Sequence, residues 1–261
     1  AQDQLQELRL ACGQLDLQPL VSVILPTTGH PDVAISLRSV LAQQHSKLEV
    51  MVVADGPTAM ERLQEVVPQL LADARVQVFA LPYNVGAGLW NGHRAYASMP
   101  ALARGTYVAF LDQDNAWAPD HLSRLVQLVA TQCLQWASSL RVVTDGDGRV
   151  IAPDDCENIQ PWNTIHDTHM NDTSAYLVRT DIAVRAASPW FARYRDAVSP
   201  DIAFGRHLRE HFPRTGSTGA YTLYYRLGRD DSLPVRYFLT GNQTMYARHG
   251  SPLINFGAEN D

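Results

Sequence analysis

Short β-branched apolar runs alternate with longer stretches of helical periodicity through the first half of this chain, an order that parallel βαβ units produce and few other folds accept. Residues 21–25, Val-Ser-Val-Ile-Leu, read as a buried strand stopped by Pro26. Beyond the Thr27-Thr28-Gly29-His30-Pro31 turn, Val33, Leu37, Val40 and Leu41 recur at helical spacing, which predicts a helix over 32–44. The same alternation predicts strands over 48–54, 76–81 and 107–111, a helix over 58–71, and a glycine-broken loop running into a helix over 84–98. All four strands end in polar or Gly/Pro-bearing turns. In open α/β sheets, ligands sit beyond the carboxyl ends of the strands, so chemistry is expected at these turns.

The second half is less regular. A helix is expected over 119–136, then a β-hairpin from 140–144 and 150–151 around Asp145-Gly146-Asp147-Gly148. A strand over 174–178, a helix over 202–211 behind Ser199-Pro200-Asp201 and an extended run over 221–227 follow. Residues 152–172 are polar and aperiodic and read as an ordered loop. The segment after Leu239 is polar and Gly-bearing, suited to a flap or tail.

Composition narrows the function classes. The chain has 21 Lys and Arg against 27 Asp and Glu, a net charge of -6, and no basic run of the kind that grips nucleic acid. Its three cysteines (Cys12, Cys133, Cys156) are far apart, with no C-x-x-C pair for zinc or thiol exchange, which fits a reducing, cytoplasmic setting. The longest apolar run near the start, residues 20–25, is about a third of a bilayer span, so no transmembrane segment is expected and any membrane association would be peripheral.

The sharpest chemical feature is Phe110-Leu111-Asp112-Gln113-Asp114, an apolar strand ending in two carboxylates one residue apart. In extended backbone, residues two apart point the same way, so both carboxylates can face one divalent ion or one ligand. At the end of the fourth parallel strand, a hard cation there would bridge carboxylate to diphosphate. Asp55 closes the second strand, where a carboxylate can accept from a base N–H or a ribose hydroxyl. Its bland reading is an Asp-Gly turn. Pro26, Thr27 and Thr28 supply hydroxyls and loop backbone after the first strand.

Taken in order, residues 21–27, 52–56, 84–86 and 105–114 resemble the motifs of the family-2 glycosyltransferases, which have the α/β GT-A fold. The resemblance covers residues 20–227. Each motif alone is unspecific; four in this order and spacing are specific. The resemblance implies metal-dependent, inverting transfer of a sugar from a nucleotide-diphosphate donor, most simply a UDP-sugar, to a saccharide, glycolipid or glycan hydroxyl, in polysaccharide biosynthesis. It implies that Pro26, Thr27, Thr28 and Asp55 meet the nucleoside, although Thr28 and Gly29 replace the family's aromatic and Asn. It implies that Asn84, Gly86 and Asn91 form the donor loop. No arginine precedes Asn91, and Arg94 is the candidate substitute. Asp112 would contact ribose and the metal shell, Asp114 would hold Mn²⁺ or Mg²⁺, and Arg226 would meet the diphosphate. Residues 173–179 resemble the strand of the acceptor floor. Asp201 aligns with the general base, with Pro200 in place of the usual glutamate; its bland reading is a helix N-cap.

The implied organisation is an N-terminal extension (1–19), one GT-A domain (20–239) with a nucleotide-binding half (20–116) and an acceptor half (117–239), and a C-terminal tail or flap (240–261). His207, His211 and His249 are candidates for a third metal ligand, and His166 and His169 lie three apart; no H-E-x-x-H motif occurs. Trp117, Trp162 and Trp190 suit either sugar stacking or packing. Two alternatives stay open. One is another nucleotide-binding α/β enzyme such as a nucleotidyltransferase, although neither G-x-G-x-x-G nor a basic Gly-rich loop follows the first strand. The other is a degenerate scaffold that keeps the fold without turnover, for which the altered loop at Trp90 and Pro200 argue.

Overall fold

The computed structural model describes residues 16–159, 164–192, 199–227 and 234–250. The first strand, β1 (Val21–Thr27), is followed by α1 (Val33–Leu41), β2 (Leu48–Ala54), α2 (Pro57–Val66), α3 (Pro68–Leu71) and β3 (Val76–Ala80). The helix expected over 58–71 is thus two helices. Pro68 has no amide to donate and its ring crowds the preceding turn, so the first helix stops at Val66. Next come α4 (His93–Ser98), β4 (Tyr107–Phe110), the two-residue β5 (Ala116–Trp117) and α5 (His121–Thr131).

The helix predicted over 119–136 ends early because Cys133 adopts φ 53°, the left-handed conformation that closes a helix. The chain then enters β6 (Trp136–Thr144), which places Trp136 in the sheet, with its indole N–H donating to the Phe212 carbonyl at 2.9 Å. The hairpin partner β7 (Val150–Pro153), β8 (Tyr176–Arg179), α6 (Thr180–Arg185), α7 (Pro200–His211), β9 (Thr215–Arg226) and α8 (Val235–His249) complete the described elements. The last of these corrects the tail expected from 240. Phe238 and Met245 are buried against Val143, Cys156 and Ile159, so a polar-looking segment becomes a docked helix. The expectations for 1–15, Cys12, Trp162 and 251–261 lie outside the described residues.

The strands form one mixed sheet in the order β3-β2-β1-β4-β8-β6-β9-β5, with β7 paired to β6. β1 to β4 are mutually parallel, β8 runs antiparallel between β4 and β6, and β9 lies parallel to β6. β1 and β2 are buried at every position, as central parallel strands must be when helices cover both faces. Alternation divides their side chains. Val21, Val23, Leu25, Val50 and Val52 face one apolar layer with α1 and α5. Ile24, Met51 and Val53 face a second layer with Phe110, Tyr96, Trp190 and Phe204. Trp117 and Trp190 are both buried, which makes them packing residues.

β6 carries an arginine in the interior. Arg141 is 1% exposed, and its guanidinium donates to Asp154 at 2.6 Å, Asp172 at 2.6 Å and Glu157 at 2.9 Å, with its plane over Tyr225. It ties the loop after β7 to the residue that leads into β8. Removing it strands three buried carboxylates, so Arg141→Met is expected to cost about 3–5 kcal/mol at pH 7. In a chain of this size that lowers the thermal midpoint by about 10 °C, with a smaller loss at pH 5, where the abandoned carboxylates take up protons. Calorimetry at the two pH values checks this. Among the described residues no helix is long and apolar enough to cross a membrane.

Candidate active site

A cleft of about 760 Å³ opens along the carboxyl edge of the parallel strands. Its lining crosses the sheet from Asp55 after β2, through Pro26, Thr27 and Thr28 at β1 and Asp112 and Asp114 after β4, to Asp172 before β8, Arg141 in β6 and Tyr225 in β9. Asp201, at the start of α7, lines the same cleft. Asn84, Gly86 and Asn91 line it from the loop before α4.

At the β1–β2 end, Asp55 is buried and both its oxygens hold a loop. Val85 N–H donates to Oδ1 at 2.6 Å and Gly86 N–H to Oδ2 at 2.9 Å. Gly86 has no room for a side chain: a Cβ would lie 2.4 Å from the Asn91 carbonyl oxygen and 2.6 Å from Asp55 Oδ2. The Asp-Gly turn and the N-x-G motif, 30 residues apart in sequence, are therefore one unit in which the aspartate fixes the glycine loop. Thr27 Oγ1–H and Thr28 N–H donate to Gln113 Oε1 at 2.7 and 3.1 Å. Gln113, the residue between the two aspartates, thus fastens the β1 turn to the β4 turn.

β4 ends at Phe110, so Asp112 and Asp114 reach the cleft through a turn and not by strand alternation. Tyr96 O–H donates to Asp112 Oδ1 at 2.6 Å and Ser174 O–H to Oδ2 at 3.2 Å. Ser36 O–H bonds the carbonyls of Gln113 and Asn115, both at 2.6 Å, which pins the turn from below. Asp114 is exposed to the cleft. Burial, with Asp114 and Asp172 alongside, pushes the Asp112 carboxyl up to about 7 against the lowering effect of Tyr96 and Ser174.

This has a sign. Between about 4 and about 7 the folded chain holds a proton on Asp112 that the unfolded chain has released, so this group's contribution to stability falls as pH rises through that window. Without divalent ions, thermal midpoints are expected to decline more between pH 5 and 8 for the unmodified protein than for Asp112→Asn. Equal slopes would remove the assignment.

Carboxylates crowded in this way suit a hard divalent cation that takes its remaining ligands from a phosphate-bearing substrate. Among the described residues no three His, Cys, Asp or Glu side chains converge as a metal site. His207 and His211 stack on each other along α7, and His166 pairs with the Tyr237 hydroxyl.

Asp201 lies in the first turn of α7. It accepts from Ile202 N–H at 2.8 Å and from the Ser199 hydroxyl, and burial with Asp172 nearby raises its carboxyl above the ordinary aspartate range. Two predicted residues stand apart from the cleft wall. Arg94 lies over the Trp90 ring, 3.9 Å from its centroid, and donates to the Val85 carbonyl, so it braces the outside of the loop before α4. Arg226 is buried behind the Asp114 turn, donating to the Gly146 carbonyl at 2.5 Å and lying 3.4 Å from Asp32 Oδ1.

Tyr96, Gln113, Asp172 and Arg141 were not anticipated as site residues, and Ser174 only as part of the 173–179 strand. Only Arg141 left a signal, a charge inside the apolar run Leu140-Arg141-Val142-Val143.

The family model for Glycosyl transferase family 2 matches residues 22–193. The chain is 37% identical over 106 residues to WcaA of Escherichia coli (strain K12), named as a colanic acid biosynthesis glycosyl transferase; the match covers 40% of this chain and 36% of that protein. It is 35% identical over 116 residues to TuaG of Bacillus subtilis (strain 168), named as a teichuronic acid biosynthesis glycosyltransferase, covering 43% and 42%. The matched segment thus spans well under half the length of these relatives. Among solved structures, S. aureus TarS 1-349 in complex with UDP-GlcNAc superposes with a TM-score of 0.60 at 17% identity, covering 87% of this chain and 65% of that one, a likeness of fold. The nucleotidyltransferase alternative falls with the family match. With motif order, sheet topology and family model in agreement, the chain belongs to Glycosyl transferase family 2 and has the GT-A fold.

Proposed function

We propose that this glycosyltransferase is inverting and divalent-metal-dependent, and moves a sugar from a UDP-linked donor to a saccharide hydroxyl in polysaccharide assembly. The observation that carries the reading is one cleft holding both the Asp112–Asp114 turn and Asp201 at the start of α7. The names of the relatives support the polysaccharide setting, and the TarS complex with UDP-GlcNAc supports the donor class.

The nucleoside lies at the β1–β2 end, against Pro26, Thr27, Thr28 and the loop that Asp55 fixes. Asp112 and Asp114 are the residues that would hold Mn²⁺ or Mg²⁺, whose charge would offset that of the departing diphosphate. Asp201 accepts the proton of the acceptor hydroxyl as that oxygen bonds to the anomeric carbon. The bond from that carbon to the diphosphate oxygen breaks on the opposite face, so configuration inverts. A raised Asp201 carboxyl is a stronger base than a surface aspartate, which suits the role.

The test is a thermal-shift panel of nucleotides and nucleotide sugars with and without Mn²⁺, followed by UDP release from the best donor. Stabilisation by a UDP-sugar that requires Mn²⁺, with slow UDP release, is expected. Neither effect with any nucleotide sugar would leave a non-catalytic scaffold.

A further inference from the structure

A polar side chain of the cleft wall lies outside both the motifs and the proposed chemistry. His93, the first residue of α4, lines the cleft yet is 9% exposed, and it makes no side-chain hydrogen bond to any described residue. Its Nδ1 is sealed from solvent and has no partner among the described residues. The neighbouring Trp190 ring lies 5.6 Å away, tilted by 31°, and its indole N–H is also buried without a partner. The two buried nitrogens do not bond each other, and Nε2 is the imidazole nitrogen that is not sealed away from the cleft. Burial holds the ring neutral, with its titration pushed down to about 4. Nδ1 is the atom turned away from water, and a neutral ring that carries its proton on Nε2 has a donor on the cleft side.

Two contacts locate His93 along the cleft. Tyr96, one helical turn further along α4, carries the hydroxyl that holds Asp112. Trp190, beneath His93, packs at 4.5 Å between ring centroids on Phe204, one turn beyond Asp201 on α7. His93 therefore stands between the carboxylate at the diphosphate and the carboxylate proposed as base. In the reading above, that interval holds the transferred sugar.

We infer that His93 donates a hydrogen bond from Nε2 to a hydroxyl or amide oxygen of the donor's sugar, and so distinguishes a nucleotide sugar from the bare nucleotide. This rests on the donor reading above. The side chain is a positioning and selectivity residue for the bound sugar and takes no proton in the reaction.

The experiment compares the unmodified protein with His93→Gln, whose amide N–H can reach toward the Nε2 position, and His93→Phe, which keeps the ring over Trp190 and removes the donor. Dissociation constants are measured by calorimetry with Mn²⁺ for UDP and for whichever of UDP-glucose, UDP-galactose and UDP-GlcNAc the unmodified protein binds most tightly. In His93→Phe the UDP-sugar is expected to bind about ten-fold more weakly, while UDP stays within two-fold; His93→Gln should recover most of the loss. Unchanged UDP affinity also serves as the check that the variants fold. Equal weakening for UDP and UDP-sugar, or no weakening of the UDP-sugar, overturns the inference. An unmodified protein that binds neither compound removes the donor reading itself, a result distinct from any variant effect.

Discussion

Asp114→Ala is expected to abolish the Mn²⁺-dependent part of UDP binding and to lower kcat/KM for transfer by on the order of 10²–10³-fold. The size follows from the charges on the wall. Asp55, Asp112, Asp114, Glu157, Asp172 and Asp201 all line the cleft, and the only Lys or Arg among the described lining residues is Arg141, already bonded to three carboxylates. A diphosphate entering such a cleft meets like charge unless a cation comes with it. Asp112 cannot hold that cation alone with its two oxygens engaged by Tyr96 and Ser174, so the exposed Asp114 is the side chain whose loss is felt most. The metal-free variant should be at least as stable as its parent, because a like charge next to Asp112 is gone. Titration of UDP with and without Mn²⁺ checks the prediction, and equal affinities in the unmodified protein would sink it.

Asp201→Asn is expected to leave UDP-sugar affinity within about two-fold and to lower kcat by about 10²–10⁴-fold, the range spanned by loss of a general base. Asparagine keeps an oxygen for the Ile202 N–H in the first turn of α7, so a folding defect is not expected. The pH profile separates the chemistry from simple damage. Because burial raises the Asp201 carboxyl, its basic form is lost at a higher pH than an ordinary aspartate's as the solution is acidified, and the rate should fall with it. At saturating Mn²⁺ the acidic limb belonging to Asp201 should vanish in the variant. A variant with full transfer rates would place the base elsewhere.

Much of the first half of the fold was legible because β1, β2 and β4 are short apolar runs that are almost wholly buried and α1 and α2 show an apolar stripe, although Pro26 lies inside β1, paired with Val53, and does not end the strand. The boundaries that failed depended on tertiary facts. Trp136 reads as the end of a helix until the left-handed turn at Cys133 and the bond to Phe212 place it in β6. The 215–220 stretch of β9 has no apolar run, since it pairs with β6 mainly through backbone. Helix α8 looked like a tail because its buried residues are few and polar neighbours surround them.

In the site, the positions that a ligand-facing motif specifies were readable: Thr27, Asp55, Asp112, Asp114 and Asp201 all reach one cleft. The residues that hold them there were not readable. Tyr96, Gln113 and Ser174 act across 16, 86 and 62 residues of sequence, and no local pattern marks such bonds. The two arginines went the other way: a charge near a donor loop is easily assigned to phosphate, yet Arg94 settles on Trp90 and Arg226 on carbonyls.

The placement of β9 and α8 bears on how the molecule is made. β9 fits between β6 and β5, strands synthesised long before it, and α8 clasps Asp155 through the Tyr246 hydroxyl and the Asn242 side chain. A nascent chain therefore leaves the ribosome with every candidate carboxylate already translated but with the far wall still open. Premature termination ahead of residue 215 should yield a product that aggregates, because β6 would be left as an unpaired edge.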